Sequence, residues 1–209
     1  MRRMLILFAF ALAAAPSCKP QSDGTCTTCG PMPKAKQEPI DFTLDDFLLT
    51  ERDGTKKSLE DFKGKVWVAS FVFTRCAGPC PQVTATMARL QAEMPDITLV
   101  TFTVDPERDD AKELRQYAER YQADAKRWLF LTGAEDEIHR LMSNGFKLGI
   151  AKNPNGKPGD EFDHSTRLAV VDKQGHVRGY FDGMSEDPAA LTASLGQLKE
   201  LVTKLREER

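Results

Sequence analysis

Residues 65–73 read KVWVASFVF, a nearly continuous run of apolar residues rich in β-branched and aromatic side chains. Such a run is typical of a strand that is buried on both faces of a sheet. The sequence continues as TRCAGPCP at 74–81, and apolar residues then recur at helical spacing over 82–93. A second buried strand is predicted at 97–104. The segment therefore predicts a β-α-β unit with two cysteines in the loop after its first strand.

The rest of the chain continues this alternation of strands and helices. Asp109 or Asp110 is suited to cap the next helix, and residues 144–163, rich in Gly, Pro and Lys, predict a loop. The remaining predicted elements are a helix to about 121, a strand at 127–131, a helix at 134–142, a hairpin of strands at 167–172 and 176–182, and a helix from Ser185 or Asp187 to about 206. This order predicts an α/β domain of thioredoxin-like fold, with a central mixed sheet flanked by helices on both faces.

The N-terminus has the features of a targeting segment. Arg2 and Arg3 precede the run 4–15, which contains no polar side chain. A membrane-spanning helix needs about 20 apolar residues, so this shorter run fits the apolar region of a secretory signal. Residues 1–18 are therefore predicted to be a signal for export. Either cleavage follows the small residues near Ala15, or Cys18 becomes a lipid-modified first residue that anchors the protein on the periplasmic side of the membrane.

Residues 19–39 contain several Pro and Gly and few large apolar residues, which predicts a flexible linker before a single domain at 40–209. The linker holds Cys26 and Cys29, separated by two residues and followed by Gly30, so this is not the C-x-x-C-H pattern of haem attachment. The sequence leaves three roles of this pair open: copper binding, disulfide exchange, and closure of a small loop without further function.

Lys plus Arg total 29 and Asp plus Glu total 31, a near balance that gives no reason to expect nucleic acid as a partner. Export bears on the five cysteines, because thiols outside the cytoplasm oxidise unless a dedicated system keeps them reduced. In a parallel sheet, ligands gather at the carboxyl ends of the strands. The loop that holds Cys76 and Cys80 lies at such an end.

The spacing Cys-x-x-x-Cys lets both sulfurs reach one ion or close a disulfide. Pro81 suits the first turn of the helix that follows, which sets Cys80 beside a helix N-terminus, where the dipole favours a thiolate. Two thiolates suit Cu(I), and an added imidazole also permits Cu(II). Spacing alone does not decide between metal binding and redox chemistry.

The chain has three histidines. His139 within a helix and His176 after a hairpin turn are predicted to be surface residues. His164 follows the Gly- and Pro-rich segment and precedes a strand. It is either a loop histidine hydrogen-bonded to Asp163 or a metal ligand.

Three separated motifs resemble the Sco/SenC family of copper proteins: FTRCAGPCP at 73–81, TVDPERD at 103–109 and DHS at 163–165. The similarity extends over roughly 40–206. It implies a thioredoxin-like copper chaperone that delivers copper to the copper centre of a respiratory cytochrome oxidase.

Carried over by position, the family's copper ligands fall on Cys76, Cys80 and His164. Ala77 departs from the pattern, because many members have Pro there, but the departure leaves the ligands in place. Asp105 either supports the ligands from behind or caps the turn before Pro106.

Other functions stay open. A thiol–disulfide oxidoreductase would use Cys76 and Cys80 as its redox pair, including as a reductant for the cysteines of a partner's copper site. A peroxiredoxin-like peroxidase is suggested by Phe73-Thr74-x-Cys76 and by Arg167 before a strand, although a second cysteine four residues on fits metal better. A structural disulfide is the remaining alternative. Whether the protein is an enzyme is left undecided.

Overall fold

The computed structural model describes residues 40–208, so the predicted signal, linker and Cys18, Cys26 and Cys29 lie outside the described residues. A 3₁₀ turn spans Leu59–Phe62, and a π-helical turn spans Leu141–Gly145. The strands are β1 (Phe42–Thr43), β2 (Leu48–Glu51), β3 (Lys56–Ser58), β4 (Trp67–Val72), β5 (Thr98–Thr103), β6 (Trp128–Thr132), β7 (Ile150–Lys152), β8 (Phe162–His164), β9 (Arg167–Val171) and β10 (His176–Asp182). The helices are α1 (Cys80–Glu93), α2 (Ala111–Arg120), α3 (Glu135–Arg140) and α4 (Pro188–Glu207).

One mixed sheet of eight strands organises the domain, in the order β1-β10-β9-β4-β5-β6-β2-β3. Strands β4, β5 and β6 run parallel, and β9 joins β4 in antiparallel pairing. The predicted α/β architecture with a mixed sheet is confirmed. Because β4 is central, the loop after it emerges in the middle of the sheet's carboxyl edge, where the two cysteines stand.

Helical segments cover both faces of the sheet. On one face, Phe146 follows the π-helical turn and packs against Phe71 and Phe102, with ring centroids 5.1 and 5.7 Å away. On the other face, α1 and α2 are joined by a hydrogen bond between the Thr84 and Tyr117 hydroxyls. Every residue of β4 is buried, as the continuous apolar run predicted.

Two buried tryptophans differ in how their indole N–H groups are satisfied. Trp128 Nε1 donates to Thr101 Oγ1 at 2.9 Å, and the Thr101 hydroxyl also pairs with Ser70. Trp67 is fully buried, and within residues 40–208 its Nε1 is the buried side-chain polar atom without a hydrogen-bond partner. An unpaired buried donor usually costs stability, so the two indoles contribute differently to the core.

The prediction of a plain loop at 144–163 was wrong in part. The π-helical turn Leu141–Gly145 extends into its start, and strands β7 and β8 form a separate two-stranded antiparallel hairpin within it. Each strand has three residues, too few for an alternation of apolar and polar residues to be visible. The hairpin matters because it carries His164.

Candidate metal centre

The two cysteines lie on either side of a short loop between β4 and α1. The Cys76 amide donates to the Phe73 carbonyl oxygen at 3.2 Å, which starts the turn, and Cys80 is the first residue of α1. Pro81 lies in the first turn of the helix, as predicted. Cys76 is half-buried and Cys80 fully buried, and both are free thiols. The fold therefore presents one accessible and one inner sulfur at a helix N-terminus.

His164 reaches the cysteines from the last position of β8. Its imidazole stacks edge-on against Phe73, with ring centroids 5.9 Å apart. Nδ1 lies 3.0 Å from the Ser165 carbonyl oxygen. Because a carbonyl only accepts, Nδ1 carries the proton, and Nε2 offers a lone pair. That lone pair faces Cys80 Sγ at 3.5 Å. Both ring nitrogens thus have partners other than Asp163, so the alternative of a loop histidine hydrogen-bonded to Asp163 is wrong.

The pKa values of the two thiols are shifted in opposite directions. A hydrogen bond from Cys80 is the main cause that lowers the pKa of Cys76 to about 6, helped by backbone N–H groups of Gly78 and Cys80 and opposed by burial. The same contact and burial raise the pKa of Cys80. Burial lowers the pKa of His164. These pKa directions favour a Cys76 thiolate, a Cys80 thiol and a neutral imidazole.

The direct contact within the site joins Cys80 Sγ to His164 Nε2, and Cys76 lies at the other end of the short cysteine loop. In the described part of the chain, no three Cys, His, Asp or Glu side chains form a closed set ready to hold a metal ion. Soft sulfur and imidazole nitrogen are nevertheless the donors that copper ions prefer, and the Nδ1–H bond of His164 fixes the ring in the orientation that a ligand needs. The donor set therefore fits copper in its chemistry.

Asp109 contributes to the site in a way that sequence reasoning missed. It is 1% exposed, and its carboxylate accepts hydrogen bonds from the Thr74 backbone N–H at 3.0 Å and from the hydroxyls of Thr74 and Thr103. Thr74 stands two residues before Cys76, so Asp109 holds the beginning of the cysteine loop to the end of β5. Asp110, the alternative, caps α2. The two neighbouring aspartates therefore have different roles.

The other predicted residues lie in separate interactions. Asp105 is buried and pairs with Arg108 at 3.0 Å, so its support of the ligands stays a prediction. Arg167 lies over the Tyr180 ring, 5.5 Å from its centroid. His139 and His176 are both partly buried: Nε2 of the first lies 3.2 Å from the Val104 carbonyl, and Nδ1 of the second lies 2.7 Å from Asp41.

A shallow depression of about 450 Å³ opens on the surface beside the imidazole. Its lining is mostly apolar, and it reaches the site from the side of the β7–β8 hairpin. The residues that line it are Gly149, Ile150, Ala151, Asp163, His164 and Ser165. Another protein can therefore approach His164 without displacing the core.

The domain combines a mixed sheet, a Cys-x-x-x-Cys loop at the sheet's carboxyl edge and a histidine that contacts the second cysteine. These features define a thioredoxin-like protein with a paired-thiol site. A family model described as SCO1/SenC matches residues 35–200. A SCO1 protein homolog from Bacillus subtilis is 36% identical over 157 residues, covering 73% of this chain and 80% of its own. The chain belongs to the SCO1/SenC family, as the three motifs predicted.

Further relatives and solved structures agree with this membership. A Stutzerimonas stutzeri protein, whose name suggests copper binding, is 30% identical over 139 residues, covering 63% of this chain and 65% of its own. A SCO1/SenC family lipoprotein from Bacillus anthracis superposes with a TM-score of 0.73 at 30% identity, over 83% of this chain and all of its own. BsSco superposes with a TM-score of 0.71 at 31% identity, over 83% of this chain and 98% of its own. The predicted thioredoxin-like fold is thereby confirmed.

No helix within residues 40–208 combines the length and apolar character that a membrane crossing requires.

Proposed function

We propose that this protein is an exported copper chaperone, which binds copper through the Sγ atoms of Cys76 and Cys80 and Nε2 of His164. In this proposal it delivers the ion to the copper centre of a respiratory cytochrome oxidase. One observation carries the proposal: Cys80 Sγ, in the loop that also holds Cys76, lies 3.5 Å from His164 Nε2. The imidazole adds a nitrogen donor beside the two sulfurs, and this mixed donor set suits copper ions.

The protonation of the site supports copper uptake. Because the pKa of Cys76 is lowered to about 6, this residue offers a thiolate at neutral pH without first losing a proton to a base. Burial keeps His164 neutral, so Nε2 is ready to coordinate. Cys80 must lose its proton when copper binds. Once Nε2 of His164 coordinates the ion, its lone pair can no longer accept that proton. Copper uptake is therefore expected to release a proton to solvent.

Delivery by ligand exchange requires that a partner's ligands reach the ion while it is still held. Cys76 is half-buried rather than enclosed, and the depression beside His164 leaves the imidazole side open. A partner can thus replace one ligand at a time from the surface. The oxidase as recipient is supported by the description of BsSco as a member of a family of cytochrome c oxidase assembly proteins.

The proposal includes export and attachment to the membrane through lipid on Cys18, with residues 19–39 as a linker that lets the domain at 40–209 reach its partner. The apolar run at 4–15 supports export. The Bacillus anthracis relative is described as a lipoprotein, which supports a lipid anchor. Recovery of the protein in detergent-extracted membranes, and its release on Cys18→Ser, would test this part.

A second function, thiol–disulfide exchange, is favoured by the lowered pKa of Cys76 beside a free, buried Cys80. The Cys76 thiolate would attack a partner's disulfide and form a mixed disulfide. Cys80 would then displace the partner's thiol, so two electrons and two protons pass to the partner while Cys76–Cys80 becomes a disulfide. The structure of BsSco is described as identifying a disulfide switch, which agrees with redox activity in that relative.

Copper content after gel filtration tests the leading function. The reduced domain is expected to retain one Cu(I) per chain, and Cys76→Ser combined with Cys80→Ser is expected to retain none. His176→Ala, whose imidazole bonds to Asp41 instead, is the matched control and should bind as the wild type does. Equal copper content in the double variant and the wild type would reject the copper site, while leaving disulfide exchange to be measured separately.

A further inference from the structure

Cys26 and Cys29 are the two cysteines of the chain that the proposed copper site and lipid anchor do not use. They stand in the predicted linker, and Phe42, the first residue of β1, follows Cys29 by 13 residues. In an exported protein, a Cys-x-x-Cys pair can alternate between two thiols and one disulfide. Its reach along the chain decides which other disulfide it can exchange with.

The first strand of the domain points back towards the edge that carries the cysteine loop. β1 pairs antiparallel with β10, β10 pairs antiparallel with β9, and β9 pairs antiparallel with β4. β1 and β4 therefore run in opposite directions. The N-terminal end of β1 thus faces the edge of the sheet at which the cysteine loop leaves β4.

The span from β1 to the cysteine loop follows from the register of the sheet. Four paired residues cross the sheet at one level, from β1 to β4: Phe42, Val177, Val171 and Trp67. Three strand spacings separate β1 from β4, which is about 14 Å. Phe73 lies six residues beyond Trp67, about 20 Å further along β4, and the Cys76 amide bonds to its carbonyl oxygen. The direct span is therefore about 25 Å.

The chain between Cys29 and Phe42 has enough length for this span. Thirteen residues reach up to about 45 Å when fully extended, and a flexible linker of that length has a root-mean-square length of about 20 Å. A tether that matches its span gives the attached group an effective concentration in the millimolar range. Cys76 is half-buried and Cys80 buried, so an incoming thiolate meets the sulfur of Cys76 first.

The fold favours the reduced state of Cys76 and Cys80. The S–H group of Cys80 has Nε2 of His164 as an acceptor at 3.5 Å. A disulfide has no S–H to donate, so this contact stabilises the dithiol and makes the Cys76–Cys80 disulfide easier to reduce. One net hydrogen bond corresponds to a preference of roughly two- to tenfold. This preference draws electrons towards Cys76 and Cys80.

We propose that Cys26 and Cys29 reduce the Cys76–Cys80 disulfide of their own chain. A linker thiolate attacks Sγ of Cys76, the bond between Cys76 and Cys80 breaks, and Cys80 leaves and takes up a proton. The second linker thiol then displaces Cys76, so that a Cys26–Cys29 disulfide forms and two electrons and two protons have moved to the domain. The benefit for copper binding rests on the proposed function, because only the dithiol offers both sulfurs to the ion. The exchange itself needs no copper.

Trapping the mixed disulfide tests the route of the exchange. In the full chain with Cys18→Ser, Cys80→Ala is combined with Cys26→Ser or with Cys29→Ser, so that one linker thiol and Cys76 remain. At least one of these variants is expected to form a disulfide to Cys76 within a single chain, detected by mass spectrometry of the non-reduced monomer. Matched controls carry Cys76→Ala in place of Cys80→Ala and should form far less, because Cys80 is buried. Equal trapping in both sets, or none, would overturn the proposal.

The position of the disulfide at equilibrium tests the direction of electron flow. The reduced, metal-free Cys18→Ser chain receives one equivalent of a two-electron thiol oxidant, and differential alkylation then locates the disulfide. It is expected at Cys26–Cys29, with Cys76 and Cys80 recovered as thiols. The control combines Cys26→Ser and Cys29→Ser, which lie outside the described domain, and should hold the disulfide at Cys76–Cys80. A disulfide that remains there when the linker pair is present would contradict the proposed direction.

The rate of this exchange tests whether it takes place within one chain. Acid-quenched samples give the rate at which the disulfide leaves Cys76–Cys80, and this rate is expected to be independent of protein concentration. A reduced peptide of residues 22–33, added to the oxidised control that lacks the linker thiols, should match it only at about millimolar concentration. A rate that rises in proportion to protein concentration would overturn the intrachain reaction. If the wild type binds no copper, the proposed function fails, and these measurements still decide the exchange.

Discussion

Cys80 Sγ lies 3.5 Å from His164 Nε2, although 84 residues separate the two in the chain. The contact exists because β4 and the β7–β8 hairpin end at the same edge of the domain. It gives the inner thiol a hydrogen-bond acceptor from a distant segment of the chain. A site organised in this way can hold a soft metal ion or pass electrons, and the imidazole favours the ion.

The thiolate of Cys76 should form at unusually low pH. Because its pKa is lowered to about 6 by the Cys80 hydrogen bond, the reactive form is present above that pH and is lost below it. The rate of alkylation by iodoacetamide in the reduced protein is therefore expected to rise through a midpoint near 6. Cys80→Ala, which removes this hydrogen-bond donor, should move the midpoint upward. A wild-type midpoint in the ordinary thiol range would contradict the polarised pair.

Burial of His164 should make stability depend on pH. Its pKa is lowered in the folded state, so the unfolded chain binds a proton first as pH falls below its ordinary value of about 6.5. Stability is therefore lost as pH falls from there towards the folded pKa, with a slope of up to about 1.4 kcal/mol per pH unit. Urea unfolding of the metal-free protein measures this slope. In His164→Ala the part of the pH dependence that comes from this one proton should disappear, so the slope should be smaller. An unchanged slope would show that the imidazole is not desolvated.

Asp109 should matter to the cysteines as well as to stability. Asp109→Ala leaves the Thr74 N–H without its acceptor, with an expected cost of about 1–3 kcal/mol in the free energy of unfolding. Asp172→Ala is a matched control, because that carboxylate is also buried and accepts the backbone N–H groups of Gln174 and His176. Both variants should lose stability in urea, and only Asp109→Ala should change the alkylation rate of Cys76. Equal alkylation in both variants would limit Asp109 to a structural role.

The two core tryptophans should respond differently to replacement by phenylalanine. Both are fully buried, so each variant leaves a similar space. Trp128→Phe also loses the hydrogen bond to Thr101, whereas Trp67→Phe removes a donor that has no partner in the described residues. Trp128→Phe is expected to cost about 0.5–1.5 kcal/mol more in urea unfolding. An equal or greater loss in Trp67→Phe would mean that its N–H is satisfied.

The strands and helices that determine the sheet could be predicted because each has a strong local pattern. Residues 65–73 are apolar throughout, and Pro81 and Asp187 stand at the beginnings of α1 and α4. The β7–β8 hairpin could not be predicted in this way. Its strands are short, and the Pro and Gly residues between them are typical of an irregular loop.

The candidate site was predictable in its residues but not in its geometry. Spacing alone identified Cys76 and Cys80, and the family motif was needed to choose His164 over the other histidines. The role of Asp109 was missed because Asp109 and Asp110 are equally suited in sequence to cap a helix. Only the packing of Thr74 beside Thr103 at the end of β5, where Asp109 bonds to both, distinguishes the two aspartates. Contacts between distant segments depend on how elements pack, which a local pattern does not contain.

The most direct test of the copper site is a Cu(II) titration of the reduced wild type and His164→Ala, followed by sulfur-to-copper charge-transfer absorption and electron paramagnetic resonance. The wild type is expected to bind one Cu(II) with both thiolate absorption and nitrogen coupling. His164→Ala should lose the nitrogen coupling and bind Cu(II) more weakly. Its binding of Cu(I) should be retained, because the two thiolates of Cys76 and Cys80 suit that ion. Identical spectra and affinities for the two proteins would contradict a site made of two cysteines and this histidine.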